Sequence, residues 1–280
     1  MSDYFAQNKH ALDYSKAMVP NMHALAVPLF CNTKITNFSY LRFNKNGSVL
    51  NLTTEERWIQ FRFEQGIKYK ILFKDHLTNT NHNTPYTYFW PKNTEDTLLS
   101  ALRQYNIWNG CNIYISSSSS IEVFSFASSV ENDNMENFYV NNLNLLRNFI
   151  IFFKEQLSCT MQGTNDRKNM ILTDLKLPVS SSTDGIGLTI YNDLHDLIRP
   201  KRIYITEDFY LTNKELECCA YLIRGDNIKS IAQKVKPKLS PRTVETHINN
   251  AKLRANCSTK AKLIDLISSN RWIFDALLRS

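Results

Sequence analysis

Apolar and polar positions follow two rhythms in the first half of the chain and only one in its last third. A helix is predicted from Asp3 to Lys16. Ile35-Thr-Asn-Phe-Ser-Tyr-Leu-Arg-Phe43 then alternates with period two, Asn44-Lys-Asn-Gly47 supplies turn residues, and Ser48-Val-Leu-Asn-Leu52 resumes the alternation. That order predicts a hairpin. Thr53-x-x-Glu56 has the spacing of a capping box, predicting a short helix through Trp58 and Phe61 that closes at Gly66. Lys68 to Phe73 is a further strand candidate. Asn93 or Thr94 is the expected cap of a helix over Leu98, Leu99, Leu102 and Tyr105. A second hairpin is predicted from Cys111 to Ile115 and Ile121 to Ala127, joined by serines. Met135 to Leu157 then carries Phe138, Leu145, Phe149, Phe152 and Phe153 at helical spacing. Strands flanked by helices and joined by hairpins predict an α+β domain with an antiparallel sheet over residues 1–157.

Residues 158–202 change character. Gln-Gly-Thr-Asn-Asp-Arg-Lys is followed by Pro178 and Ser180-Ser-Ser-Thr-Asp-Gly185, so a linker is expected, with a short ordered piece around Ile186 to Ile198. From 203 to 280 the period is helical throughout. Thr212-x-x-Glu215 predicts a capping box, after which Leu216, Cys219, Ala220, Leu222 and Ile223 share one side until Gly225. Ile228, Ile231, Ala232 and Val235 mark a second short helix. Ser240-Pro241 places a side-chain cap before a proline at the first helical position of a third. A fourth is expected from Ser258 over Ala261, Leu263, Ile264 and Ile267. An all-α, four-helix C-terminal domain follows.

The third helix is the one with chemistry. Val244, Ile248, Ala251 and Ala255 fall within about 60° of one another and face a core. Opposite them stand Arg242, Glu245, Thr246 and Asn249, with Asn250 at the edge. An ordinary solvated face mixes long lysines and glutamates. Short polar groups with one guanidinium are instead suited to base edges in a major groove. Ser240, Thr243 and His247 complete the candidate DNA-contacting set on this helix. Lys229, Lys238 and Lys252 are the candidate phosphate contacts, with Lys234, Lys236 and Arg254 nearby.

Charge strengthens that picture once it is divided. Residues 199–280 hold 16 Lys+Arg against 8 Asp+Glu, a balance of +8, whereas residues 1–198 hold 17 against 18, a balance of −1. The positive excess therefore lies entirely in the last third, as expected for a polyanion binder joined to a neutral module. The six cysteines have no C-x-x-C spacing, and the six histidines lie neither four residues apart nor beside a cysteine. No metal site, cofactor or catalytic constellation is expected, and no nucleophile or dinucleotide motif occurs. The acids and lysine of a phosphoreceiver are not arranged as that chemistry requires. No apolar run is long enough to span a membrane, and the first residues lack a secretory pattern. The expected location is cytoplasmic.

Leu211-Thr212…Glu215, Gly225, Ile231-Ala232, Leu239-Ser240 and Thr243-Val244-x-Thr246-His247-x-x-Asn250 resemble the LuxR-type (GerE-like) helix-turn-helix. The resemblance implies four helices, the third in the major groove with Glu245, Thr246 and Asn249 toward the bases, and the fourth supporting dimerisation. It also implies a bacterial transcription regulator rather than an enzyme. Three features depart from the family pattern. The turn before Ser240 is longer and contains Pro237, Asn256 stands where glycine usually ends the third helix, and Glu245 occupies a position that is often basic.

The order of N-terminal elements resembles the PAS/GAF-like sensor domains of such regulators. Lactone receptors of the family pair a Trp-x-x-x-Tyr with an Asp and a second Trp fifteen residues later. Trp58, Asp75 and Trp90 fit that pattern here, but Arg62 replaces the tyrosine and His76 the usual following proline. The resemblance implies an unidentified, mostly apolar ligand near Trp58, Arg62, Asp75 and Trp90. The competing expectation is a protein-binding or dimerisation module with the aromatics as core. Double-stranded DNA bearing an inverted repeat and a second copy of the chain are the expected partners, with RNA polymerase as a candidate. For dimerisation the apolar positions offered are Leu263, Ile264 and Ile267, and Trp272, Ile273, Ala276 and Leu277.

Overall fold

The computed structural model describes residues 2–44, 49–64, 84–92, 96–117, 120–161, 194, 197–206 and 208–278. Two compact units emerge, one built on residues 1–143 and one on 144–158 together with 198–280. The helix α6, Leu143–Met161, thus clusters mainly with the C-terminal residues.

In the first unit, α1 (Ser2–Ala17) and α2 (Val19–Asn32) precede the hairpin β1 (Asn37–Asn44) and β2 (Val49–Thr53). The sequence pattern misses α2 because Pro20 and Pro28 interrupt it. Pro20 sits in the first turn, where its missing N–H costs nothing, and Pro28 lies inside the helix. α3 (Glu56–Glu64) follows, but the expected capping box does not form. Thr53 ends β2, its hydroxyl accepts from the Glu55 N–H, and the Glu55 carboxylate accepts from the Arg57 N–H. The predicted strand Lys68–Phe73, the stop at Gly66, and Asp75 and His76 lie outside the described residues. β3 (Tyr86–Phe89) is an element the pattern did not predict. Asp96 caps α4 (Thr97–Gln104), accepting from the Leu98 and Leu99 N–H groups. Asn93 and Thr94, the expected caps, lie outside the described residues. β4 (Trp108–Ser116) and β5 (Ser120–Ser128) form the second hairpin. The single helix expected from Met135 is two, α5 (Met135–Asn141) and α6, broken at Asn142.

The five strands form one antiparallel sheet in the order β2-β1-β5-β4-β3. Alternation gives its faces different chemistry. One carries Phe38, Tyr40, Phe124 and Phe126, all buried, with Phe38 against Phe126 and Tyr40 against Phe124 at ring separations of 5.2 and 5.1 Å. These aromatics are core. The other face bears a polar row that crosses every strand, because Thr53 opposes Ser39, Ser39 opposes Ser125, Ser125 opposes Asn112 and Asn112 opposes Tyr88. Trp58, Leu98, Leu99 and Leu102 from α3 and α4 join the core cluster on that side.

The second unit contains a short hairpin absent from the sequence expectation, β6 (Arg202–Tyr204) with β7 (Tyr210–Thr212). Then come α7 (Asn213–Ile223), α8 (Ile228–Lys234), α9 (Pro241–Arg254), α10 (Lys260–Ser268) and α11 (Arg271–Leu278). Of the two apolar stripes offered above for dimerisation, Leu263, Ile267, Trp272, Ile273 and Ala276 are buried within the chain itself, while Ile264 and Leu277 are half-buried. The tail is a fifth helix that folds back into the core. Among the described residues no helix is long and apolar enough to cross a membrane.

Candidate nucleic-acid interface

α7 begins with the predicted capping box. The Thr212 hydroxyl accepts from the Glu215 N–H, and the Glu215 carboxylate accepts from the Thr212 N–H. Gly225 follows the helix at φ 86°, a conformation that side-chain-bearing residues rarely adopt. Asn227 caps α8, and the Ser240 hydroxyl accepts from the Thr243 N–H to cap α9, with Pro241 at its first position. Each such cap is worth about 1 kcal/mol. At the far end Asn256 takes φ 50° in place of glycine, and the Cys257 N–H reaches the Lys252 carbonyl.

The longer turn between α8 and α9 is held from both sides. The Leu239 N–H donates to the Ala232 carbonyl, and the Lys236 N–H donates to Glu217 Oε1 at 3.0 Å. Lys214 bonds both Glu217 and the Lys236 carbonyl. Pro237 therefore sits in a turn pinned to α7, which fixes the spacing that the sequence alone left open.

α9 is seated by Val244, Ile248 and Ala251, each with no exposed surface. The opposite side leaves Arg242, Glu245, Thr246, Asn249 and Asn250 exposed, with Ser240 exposed at the cap and Thr243 and His247 half-buried. The Thr246 hydroxyl donates to the Arg242 carbonyl at 3.0 Å, so its oxygen is left as an acceptor beside a methyl group. Lys229 and Lys238 are exposed and Lys252 half-buried.

Two nearby cations have other engagements. Lys234 lies 2.5 Å from Asp226, and that ammonium, first among the causes, lowers the Asp226 carboxyl below its ordinary value. Arg254, grouped by sequence with the phosphate-facing cations, turns inward. Its guanidinium meets Glu215 in two bonds of 2.6 and 2.8 Å, donates to the Tyr210 carbonyl at 2.9 Å, and lies 4.5 Å from the Tyr210 ring centroid. Burial pushes the Glu215 carboxyl up, but the Arg254 and Thr212 hydrogen bonds outweigh it and hold the group below the usual carboxylate range. Spacing along the chain gives no sign of this pair, whose members are 39 residues apart. The adjacent thiols are also inert, since burial pushes Cys218 to about 11 and Cys219 to about 12.

A second candidate site lies within the N-terminal unit. Trp58, Arg62 and Trp90 line one cavity with Asn37, Ser39, Asn51, Asn112 and Ser125. Its open interior is about 40 Å³, room for about one water rather than a ligand. Arg62 is buried, with its guanidinium carbon 5.9 Å from the Trp58 ring. Trp90 Nε1 donates to Asn112 Oδ1, and Asn112 donates onward to the Tyr114 hydroxyl. Gly110 admits the Trp90 ring, which a Cβ would approach at 2.8 Å. The lining is mixed, with Asn and Ser side chains of the sheet on one side and Leu41, Leu98, Leu102 and Ile107 beside the two tryptophans.

A capped helix pair joined by a pinned turn, with its second helix presenting a polar face, defines a helix-turn-helix domain. Residues 210–267 match the family described as bacterial regulatory proteins, luxR family, so the C-terminal unit carries a luxR-family domain. No curated protein matches the chain by sequence. Among solved structures, SdiA in complex with octanoyl-rac-glycerol is 13% identical over 97% of each chain with a TM-score of 0.38. Escherichia coli SdiA in another crystal form is 13% identical, covering 90% of this chain and 89% of that one, with a TM-score of 0.35. Likeness at that level is too low to transfer a ligand.

Proposed function

We propose that the chain is a sequence-specific DNA-binding transcription regulator, not an enzyme. The observation that carries this reading is the exposed row Arg242, Glu245, Thr246, Asn249 and Asn250 on a helix whose other side is fully buried. Arg242 suits guanine, Asn249 and Asn250 suit adenine, and Glu245 suits the cytosine amino group. Ser240, Thr243 and His247 support them at the helix start, while Lys229, Lys238 and Lys252 take phosphates. One helix spans few bases, so a homodimer on an inverted repeat is the proposed active form. RNA polymerase is the proposed partner in regulation, and the cytoplasm the proposed location.

The full-length chain should retain a duplex selected from a random pool, with affinity falling steeply as salt rises because counterions are released. Thr246→Ala and Asn249→Ala should each cost ~1–3 kcal/mol on that duplex and little on random DNA. Lys229→Ala and Lys238→Ala should weaken both alike and flatten the salt dependence. Site preference that survives both α9 substitutions would place base reading elsewhere.

The N-terminal unit is proposed as a sensor whose ligand enters by Trp58, Arg62 and Trp90, with Asp75 as a further contact suggested by sequence. The 40 Å³ interior favours a second reading, a protein-binding module with no ligand. Thermal unfolding of the full chain against lactones, carboxylic acids and phosphate esters separates them. A true ligand at a hundredfold its Kd should stabilise by ~2.7 kcal/mol. No shift with any of them favours the second reading.

A further inference from the structure

Leu253 is 80% exposed, the most exposed large apolar side chain among the described residues. At 100° per residue it falls about 20° from Arg242 around α9, between Asn249 and Thr246. An apolar group thus stands near the centre of an otherwise polar face. Its exposure is not a frayed end, since the Asn256 N–H still bonds the Leu253 carbonyl and the Ala255 N–H the Ala251 carbonyl. Nor does it cover the stem of a neighbouring cation, because the Arg254 guanidinium turns inward to Glu215 and Tyr210. The last turn of the face therefore offers the major groove a bare isobutyl group. Among the four bases only thymine presents an apolar group there, its C5 methyl.

We propose that Leu253 is a specificity-determining residue that reads a thymine methyl at the outer end of each half-site, an inference that rests on the DNA-binding reading above. With a rise of 1.5 Å per residue, Leu253 lies about 6 Å beyond Asn249 along the helix. If α9 follows the groove, that is about two base pairs further out. The contact excludes water from one methyl group, and its loss corresponds to about a fourfold weakening.

The test uses the full-length chain and a duplex selected from a random pool. Each thymine is replaced in turn by deoxyuridine, which lacks the methyl and keeps every hydrogen bond. Wild type should lose about fourfold at one thymine per half-site and little elsewhere. Leu253→Ala should bind thymine and deoxyuridine equally at that position while keeping its preference at the positions read by Arg242 and Asn249. Equal binding by wild type at every position, or an undiminished thymine advantage in the variant, overturns the proposal. Failure to select any duplex overturns the DNA-binding reading itself and the methyl contact with it.

Discussion

Replacing Arg254 with alanine is expected to cost the C-terminal unit about 3 kcal/mol. The guanidinium is the partner of a carboxylate that is only 4% exposed. Its loss leaves Glu215 charged, desolvated and bonded only at its capping end. Urea unfolding should show the loss as a lower midpoint, and heat as a fall of several degrees per kcal/mol for a unit of this size. Glu215→Gln should show most of the same loss. The double substitution Glu215→Gln with Arg254→Met should recover part of it, because the penalty lies in stranding one charge. The pH dependence has a defined sign. Glu215 is held below its ordinary value, so its contribution is present above about pH 4 and is lost as pH falls through the folded-state value. Arg254→Ala should therefore flatten the acid limb of the stability curve. On DNA the variant should keep the salt slope of wild type, whereas Lys238→Ala should not. A slope reduced by one in Arg254→Ala would return that residue to the phosphate contacts.

Glu155→Leu is expected to destabilise the same unit by roughly 2–4 kcal/mol, although it lies far from the helix-turn-helix in sequence. The side chain is 4% exposed, and its two oxygens accept from the Lys201 N–H at 3.1 and 3.0 Å and from the Arg202 N–H at 2.7 Å. Leucine fills similar space but leaves two backbone donors unpaired where β6 begins. Amide hydrogen exchange should quicken first at Lys201, Arg202 and their β7 partners, with Thr212 opposite Arg202. Unchanged protection there, with a wild-type midpoint, would mean that α6 is dispensable to the unit.

The sequence made local features legible. Capping boxes, turn glycines and apolar spacing act over four residues or fewer, and so Thr212, Gly225, Ser240 and Asn256 announce the C-terminal helices with little ambiguity. Long-range pairs leave no such mark. Glu155 with Lys201 and Arg254 with Glu215 are 46 and 39 residues apart, and nothing in the spacing joins them. Thr53 looked like a cap because its spacing was right, but β2 claimed it for the sheet. α2 was hidden by two prolines that a helix tolerates only at particular turns. The apolar tail looked like a spare surface because its partners could not be counted from sequence. Leu253 was visible on the helical wheel throughout, yet an apolar residue on a polar face carries no signal until its exposure is known.

The polar row across the sheet bears on how the chain finds its fold. Shifting any strand by one residue would exchange its faces, placing Phe38 or Phe124 among Ser125 and Asn112 and driving a serine into the aromatic layer. A sheet with two apolar faces would tolerate that slip at small cost. Here a one-residue slip of β1, β4 or β5 strands hydroxyls or amides among rings that offer them few partners. Thr53, Ser39, Ser125 and Asn112 thus act as a checksum on strand alignment, giving up some burial energy to leave one pairing far below its neighbours.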